Sequence, residues 1–227
     1  MDLSTSPPDL LRRLGTSQAI QIIDVCVPED VQDLPVRLPG AIRVAHANIT
    51  DHAGQLDPAK PVVVVCQKGL KLSHGAAAFL RGDGFRATAL EGGISAWHEA
   101  GLPTISEIAP DTLYALPSPA NPAALFEAWL IHRWIAPNAN LLWVPAAMCS
   151  AVADRFDGTG AVGPTEMALA AALNWTPLNR FLRATDAQWT ALLAALPKLH
   201  RTPEGAFSAA LPIIDAAWTA LRSDART

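Results

Sequence analysis

A cysteine follows directly on a run that reads as a buried strand. Val62-Val63-Val64-Val65 is β-branched and apolar on both faces, and Cys66 comes next. The residues after it, Gln67, Lys68, Gly69, Leu70 and Lys71, hold one large apolar side chain among glutamine, glycine and lysines, a content that argues for an exposed loop. A helical pattern opens near Leu72. Strand, loop and helix in that order place Cys66 at the carboxyl edge of an open α/β sheet, where such sheets bind their ligands. If the loop curls so that successive N–H groups converge, and the helix aims its N-terminus inward, the result is a concave anion cradle. Such a cradle favours a cysteine thiolate, and the charges of Lys68 and Lys71 favour it further and attract an anionic reactant. These residue types support nucleophilic sulfur chemistry. The plain alternative is a small hydrophobe ending a strand, with Lys68 and Lys71 as solvated surface charges.

The elements that must position this loop are legible around it. Short apolar runs at Ala19 to Val25, Ala41 to Val44, Pro61 to Cys66 and Ala87 to Leu90 read as strands. Helical stretches at Pro8 to Leu14, Leu72 to Gly82 and Ile94 to Ala100 lie between them, with Gly84 and Gly101 following the last two. Strand alternating with helix predicts a small α/β domain, a parallel sheet flanked by helices, over residues 1–104. From 105 to 122 the periodicity lapses among Pro110, Pro117, Pro119 and Pro122, which reads as a proline-rich linker. Beyond it, Ala123 to Ile135, Ala146 to Arg155, Thr165 to Asn174, Ala187 to Leu196 and Pro203 to Leu221 read as helices punctuated by prolines, with Pro212 inside the last. Asn140 to Val144 is the one strand expected there. Residues 123–227 are thus a mainly α-helical second domain.

Composition narrows the function classes. The 227 residues, half of them hydrophobic, suffice for one large or two small cores. A net charge of −4 with no basic run gives no electrostatic footprint for nucleic acid or an anionic membrane, so the expected partner is a small molecule or a protein. The polar, acidic start lacks the pattern of a secretory signal, and no apolar run is long enough to cross a bilayer, so a cytoplasmic location is expected. Cys26, Cys66 and Cys149 are too few and too scattered for a disulfide scaffold or a zinc site, and neither metal nor cofactor is expected.

Four pieces in register, Ile22-Ile23-Asp24-Val25, Leu38-Pro39-Gly40-Ala41, Val62 to Gly69 and Leu90-Glu91-Gly92-Gly93-Ile94-Ser95-Ala96-Trp97, resemble a rhodanese domain over roughly residues 5 to 104, and Trp97 with Gly101-Leu102-Pro103 resembles its closing segment. The resemblance implies a thiosulfate-type sulfurtransferase. Cys66 would accept a sulfane sulfur from a donor such as thiosulfate, hold it as a persulfide and pass it to a thiol or cyanide. Asp24, at its strand's carboxyl end, would support the loop structurally or by charge relay; its plainer role is a turn-capping carboxylate. Two departures weaken anion clamping, because Cys26 and Lys71 stand where many rhodaneses carry arginine, and lysine offers no planar two-pronged contact. Cys26 reads either as a resolving thiol for Cys66 or as a packed free cysteine. Related phosphatase loops end in arginine at the position of Leu72, which argues against phosphatase chemistry.

The stretch Leu125-Phe126-Glu127-Ala128-Trp129-Leu130-Ile131-His132-Arg133-Trp134-Ile135, with Leu141-Leu142-Trp143-Val144-Pro145, resembles the C-terminal domain of chromate-resistance proteins. Trp129, Leu130, Ile131 and Arg133 match that family's Cys-Pro-Trp-Leu-Ile-Arg-Arg core, while Glu127 stands for its cysteine, Ala128 for its proline and His132 for its first arginine. Two readings follow: a packed helix presenting Leu125, Trp129 and His132 on one face, or a pocket in which Glu127, Trp129, His132 and Arg133 bind an anion. The second would make the chain a rhodanese-derived module that senses oxyanions such as chromate.

Overall fold

Side chains that are apolar on both faces demand cover on both faces, and the central strands of the first domain obtain it from helices. The computed structural model describes residues 2–18, 20–106, 113–156, 158–160, 175–183 and 187–224. These divide into two units, the first running from Asp2 to Ser106 apart from Gly15–Ser17, the second from Leu113 onward.

The first unit is a five-stranded parallel sheet of β1 (Ser4–Thr5), β2 (Gln21–Asp24), β4 (Ala41–Arg43), β5 (Val62–Val65) and β6 (Ala87–Leu90), in the order β1-β6-β5-β2-β4. Helices α1 (Pro7–Arg13), α2 (Pro28–Asp33), α3 (Ile49–Ala53), α4 (Lys71–Gly82) and α5 (Gly93–Glu99) connect and cover the strands. The apolar runs match their strands to within two residues. Val62 to Val65 are all buried and central, as their composition requires. Trp97 is fully buried and donates its indole N–H to Pro103 O at 2.7 Å, tying α5 to the segment behind it. The short elements β1, α2 and α3 escape sequence reading because they span too few residues for a period to show.

The stretch read as a linker is structured at both ends. Ile105–Ser106 forms β7, which pairs antiparallel with β3 (Val36–Arg37) in the first unit. Leu113–Ser118 forms β8, the middle strand of a second sheet, with Tyr114, Ala115 and Leu116 buried. Its neighbours are β9 (Asn140–Pro145) and β10 (Thr159–Gly160), both parallel to it. Among the described residues β10 pairs with Tyr114 and Ala115, and β9 pairs along β8 from Leu113 to Ser118. Residues 107–112 lie outside the described residues.

Helices α6 (Pro122–Leu130), α7 (Cys149–Arg155), α8 (Thr176–Arg183), α9 (Ala187–Leu199) and α10 (Pro203–Asp224) make the second unit mainly helical, with a three-stranded parallel sheet in place of the single expected strand. Pro197 lies inside α9 and Pro212 inside α10. The helix expected at Thr165 to Asn174 lies outside the described residues. Asn121 caps α6 by accepting the Ala124 N–H at 2.9 Å, and α6 continues into a π-helical turn over Ile131–Ile135. Every residue of α6 from Ala124 to Leu130 is buried, so the expected one-sided packing gives way to a helix enclosed all round.

The second core is aromatic. Trp134 and Trp218 meet edge to face with centroids 5.4 Å apart, and Trp129 lies 5.6 Å from Phe181. One carboxylate is embedded in it: Asp215, 5% exposed, accepts from Trp129 Nε1 at 2.8 Å and from Arg133 Nε and a terminal nitrogen at 3.1 and 2.7 Å. Removing one member of such a network strands the other in a low-dielectric interior. Asp215→Ala is therefore expected to lower unfolding free energy by about 3–5 kcal/mol, with a smaller loss for Asp215→Asn, as measured by urea titration of each variant.

Candidate active site

Cys66 sits where its strand predicts, one residue beyond β5, with α4 beginning at Lys71. Loop and helix surround its sulfur. The residue is 4% exposed, and Sγ–H donates to Ser73 Oγ at 3.3 Å, while the Ser73 hydroxyl donates to Leu70 O at 3.1 Å. Lys68, Leu70 and Lys71 are exposed along the crest, Leu70 at 61%. Gln67 is half-buried and its amide donates to Asp30 O at 3.4 Å, tying the loop to α2.

The loop is clamped by the turn that follows β6. Ile94 N–H donates to Cys66 O at 3.1 Å and Ser95 N–H to Gln67 O at 2.9 Å. Contact this close needs glycine on both sides. Gly69, Gly92 and Gly93 have φ of 64°, 66° and 62°, and a Cβ on Gly69 would lie 2.5 Å from Leu90 O and 2.6 Å from Gly93 N. The hydrogen bonds also orient the loop's donors. A trans peptide directs C=O and the following N–H to opposite sides, so carbonyls drawn toward α5 turn the N–H groups of Gln67 and Lys68 away from it.

Asp24 ends β2 on the strand next to β5, with Asp24 paired to Val65 in register. It is fully buried. One oxygen accepts the Cys26 N–H at 2.9 Å, and the other takes Arg43 Nε at 3.2 Å and a terminal nitrogen at 2.5 Å. The carboxylate thus caps its turn and also pairs with a guanidinium on β4. Cys26 is a buried free thiol. Burial above all, then the adjacent Asp24 carboxylate, push its thiol well above the ordinary range.

The second-unit candidates divide. Trp129 and Arg133 converge, but on Asp215, so the two-pronged face of Arg133 that would clamp an anion is filled by the chain's own carboxylate. Glu127 is buried, and its charge, after burial itself, raises the Cys149 thiol. His132 is half-buried against the edge of Phe207, with centroids 6.0 Å apart. Among the described residues, Glu127 and Trp129 are buried in the second core and Arg133 pairs with Asp215. Among the described residues no cluster of His, Cys, Asp and Glu suits a metal ion, and no helix is long and apolar enough to cross a membrane.

Sequence reading missed Ser73, Arg43 and Asp215. Arg43 and Asp215 carry a faint signal, a single polar residue between apolar neighbours, whereas Ser73, next to His74, carries none.

The first unit is thus an α/β domain with a cysteine-bearing loop at the carboxyl edge of a five-stranded parallel sheet, held by a glycine turn. Among solved structures, a rhodanese-related protein of Thermoplasma volcanium is similar at 25% identity and a TM-score of 0.39, over 45% of this chain and 96% of that one. Residues 6–100 match the rhodanese-like domain family. The thiosulfate sulfurtransferase GlpE of Shewanella oneidensis is 34% identical over 91 residues, covering 40% of this chain and 87% of that protein. A sulfurtransferase of Allochromatium vinosum is 28% identical over 98 residues, 43% of this chain and 89% of that protein. The chain belongs to the rhodanese-like family through its first unit.

Two outcomes follow from this geometry. Gly93→Ala places a Cβ against Cys66 O at a left-handed backbone position, and the expected loss, about 1–3 kcal/mol from strain alone, is measurable by denaturant melts. Cys26 gives a pH signature. The unfolded chain sheds that proton near the ordinary 9.0 while the folded chain retains it, so its contribution to stability is full below pH 9.0 and declines as pH rises beyond it. Cys26→Ala should flatten the alkaline limb of a stability profile recorded between about pH 8 and 10.

Proposed function

We propose that the first unit is a working sulfurtransferase that carries sulfane sulfur on Cys66. The observation that carries this reading is the clamped loop: with the Cys66 and Gln67 carbonyls held by α5, the following N–H groups and the first turn of α4 are left to line the cradle around the sulfur. Lys71 opens α4 at the positive end of the helix dipole, a placement that a bound anion offsets. Lys68 beside it adds to the attraction for an anionic donor.

In the first half-reaction the Cys66 thiolate attacks the outer sulfur of thiosulfate. The new S–S bond forms as the donor's S–S bond breaks, and sulfite leaves with the electron pair. In the second, a thiolate or cyanide attacks the outer sulfur of the persulfide, and Cys66 departs as a thiolate. The outer sulfur, about 2 Å beyond Sγ, is held by the loop amides while the acceptor approaches past the exposed crest. Thiosulfate as donor and a thiol or cyanide as acceptor fit this chemistry, which needs no metal or cofactor.

Cys66→Ser should abolish cyanide-dependent release of thiocyanate from thiosulfate, leaving less than about a thousandth of the wild-type rate, as expected when a covalent nucleophile is lost. Retention of thiocyanate release by the serine variant would overturn the reading.

A further inference from the structure

We propose that Ser73 is a catalytic hydroxyl of this site, a buried donor that turns from the Leu70 carbonyl to the Cys66 sulfur whenever that sulfur carries negative charge. The inference rests on the sulfurtransferase reading for its chemistry. It rests on geometry for its residue.

Ser73 is fully buried in the first turn of α4, where a hydroxyl is costly to enclose unless it is hydrogen-bonded. It makes two contacts, accepting from Cys66 Sγ at 3.3 Å and donating to Leu70 O at 3.1 Å. A hydroxyl has one proton and two lone pairs, and the proton's direction is set by rotation about the Cβ–Oγ bond. With Cys66 as a thiol, the sulfur donates and the hydroxyl proton rests on Leu70 O. Once Cys66 is a thiolate, sulfur can only accept, and rotation brings the same proton onto it without moving a heavy atom. The Leu70 bond is a neutral one of the kind serines make to the preceding turn. The bond to sulfur is charge-assisted and stronger.

The second half-reaction uses this most. Attack on the outer sulfur breaks the S–S bond and leaves the electron pair on Sγ, so negative charge grows within reach of Ser73 Oγ. A donor that strengthens as that charge develops stabilises the transition state more than the resting persulfide. The hydroxyl keeps its proton throughout, and Cys66 returns as a hydrogen-bonded thiolate.

The test uses the full chain, wild type against Ser73→Ala and Ser73→Thr. Each protein is loaded with thiosulfate, desalted, checked for the added sulfur by mass spectrometry and mixed with cyanide to follow thiocyanate. Ser73→Ala should discharge about tenfold more slowly, as expected for loss of one hydrogen bond to a charged group, and Ser73→Thr, which keeps the hydroxyl, should recover to within about twofold. In parallel, alkylation by iodoacetamide at about pH 7, read on the Cys66 peptide, should slow about threefold in Ser73→Ala, because a smaller thiolate population is partly offset by a more nucleophilic one. Discharge and alkylation rates equal to wild type in Ser73→Ala overturn the proposal, as does an equal loss in both variants accompanied by a lowered Tm, which would mark packing alone. If wild type takes up no sulfur from thiosulfate, the sulfurtransferase reading falls, and the alkylation comparison alone decides the role of Ser73.

Discussion

Two stretches of backbone, the Cys66 loop and the turn after β6, approach each other more closely than any pair of Cβ-bearing residues permits. Gly69 on one side and Gly93 on the other make that approach possible, and the amides of Ile94 and Ser95 hold it with hydrogen bonds to Cys66 O and Gln67 O. Much of the site follows from this contact. It fixes which way the loop carbonyls point, and through peptide planarity which way the next amides point. It also joins the Cys66 loop to β6 and α5, so that the loop draws its rigidity from the sheet rather than from its own short sequence.

Beneath the loop edge, charge is handled by enclosure. Asp24 lies fully buried at the end of β2, and the Arg43 guanidinium with the Cys26 N–H satisfies both its oxygens. Arg43 reaches it from β4, so the pair spans two adjacent strands at the edge that carries Cys66. A buried pair of this sort adds little net stability over an apolar alternative, but neither partner can leave without stranding the other. It therefore ties the two strands in a defined arrangement. Burial first, and then the Asp24 carboxylate, raise the Cys26 thiol beside it.

The second unit uses the same device in an aromatic setting. Arg133 and the Trp129 indole look in sequence like donors awaiting an anion. In the folded chain they hold Asp215, whose helix begins 73 positions after α6 ends, close to the far end of the sequence. The two-pronged face of Arg133 is thereby taken by the chain's own carboxylate.

Local information was enough for much of this protein. The strands β2, β4, β5 and β6, the three main helices of the first unit and the place of Cys66 were readable because each depends on side chains near in sequence: a run of valines needs cover on both faces, and a loop of Gln, Lys and Gly needs water. The short elements were too brief to show a period, and Pro117 disguised the strand Leu113–Ser118, whose partner β9 begins beyond α6. Only tertiary structure decided which polar groups meet. Arg43 finds Asp24 across 19 positions and Arg133 finds Asp215 across 82, distances over which no spacing rule operates. The glycine clamp likewise brings Gly69 to Gly93 through packing of separate elements. Sequence alone determined that Cys66 would stand at the sheet edge, because strand and loop are contiguous there. What surrounds its sulfur was decided by the fold, because hydrogen-bond partners are chosen in space.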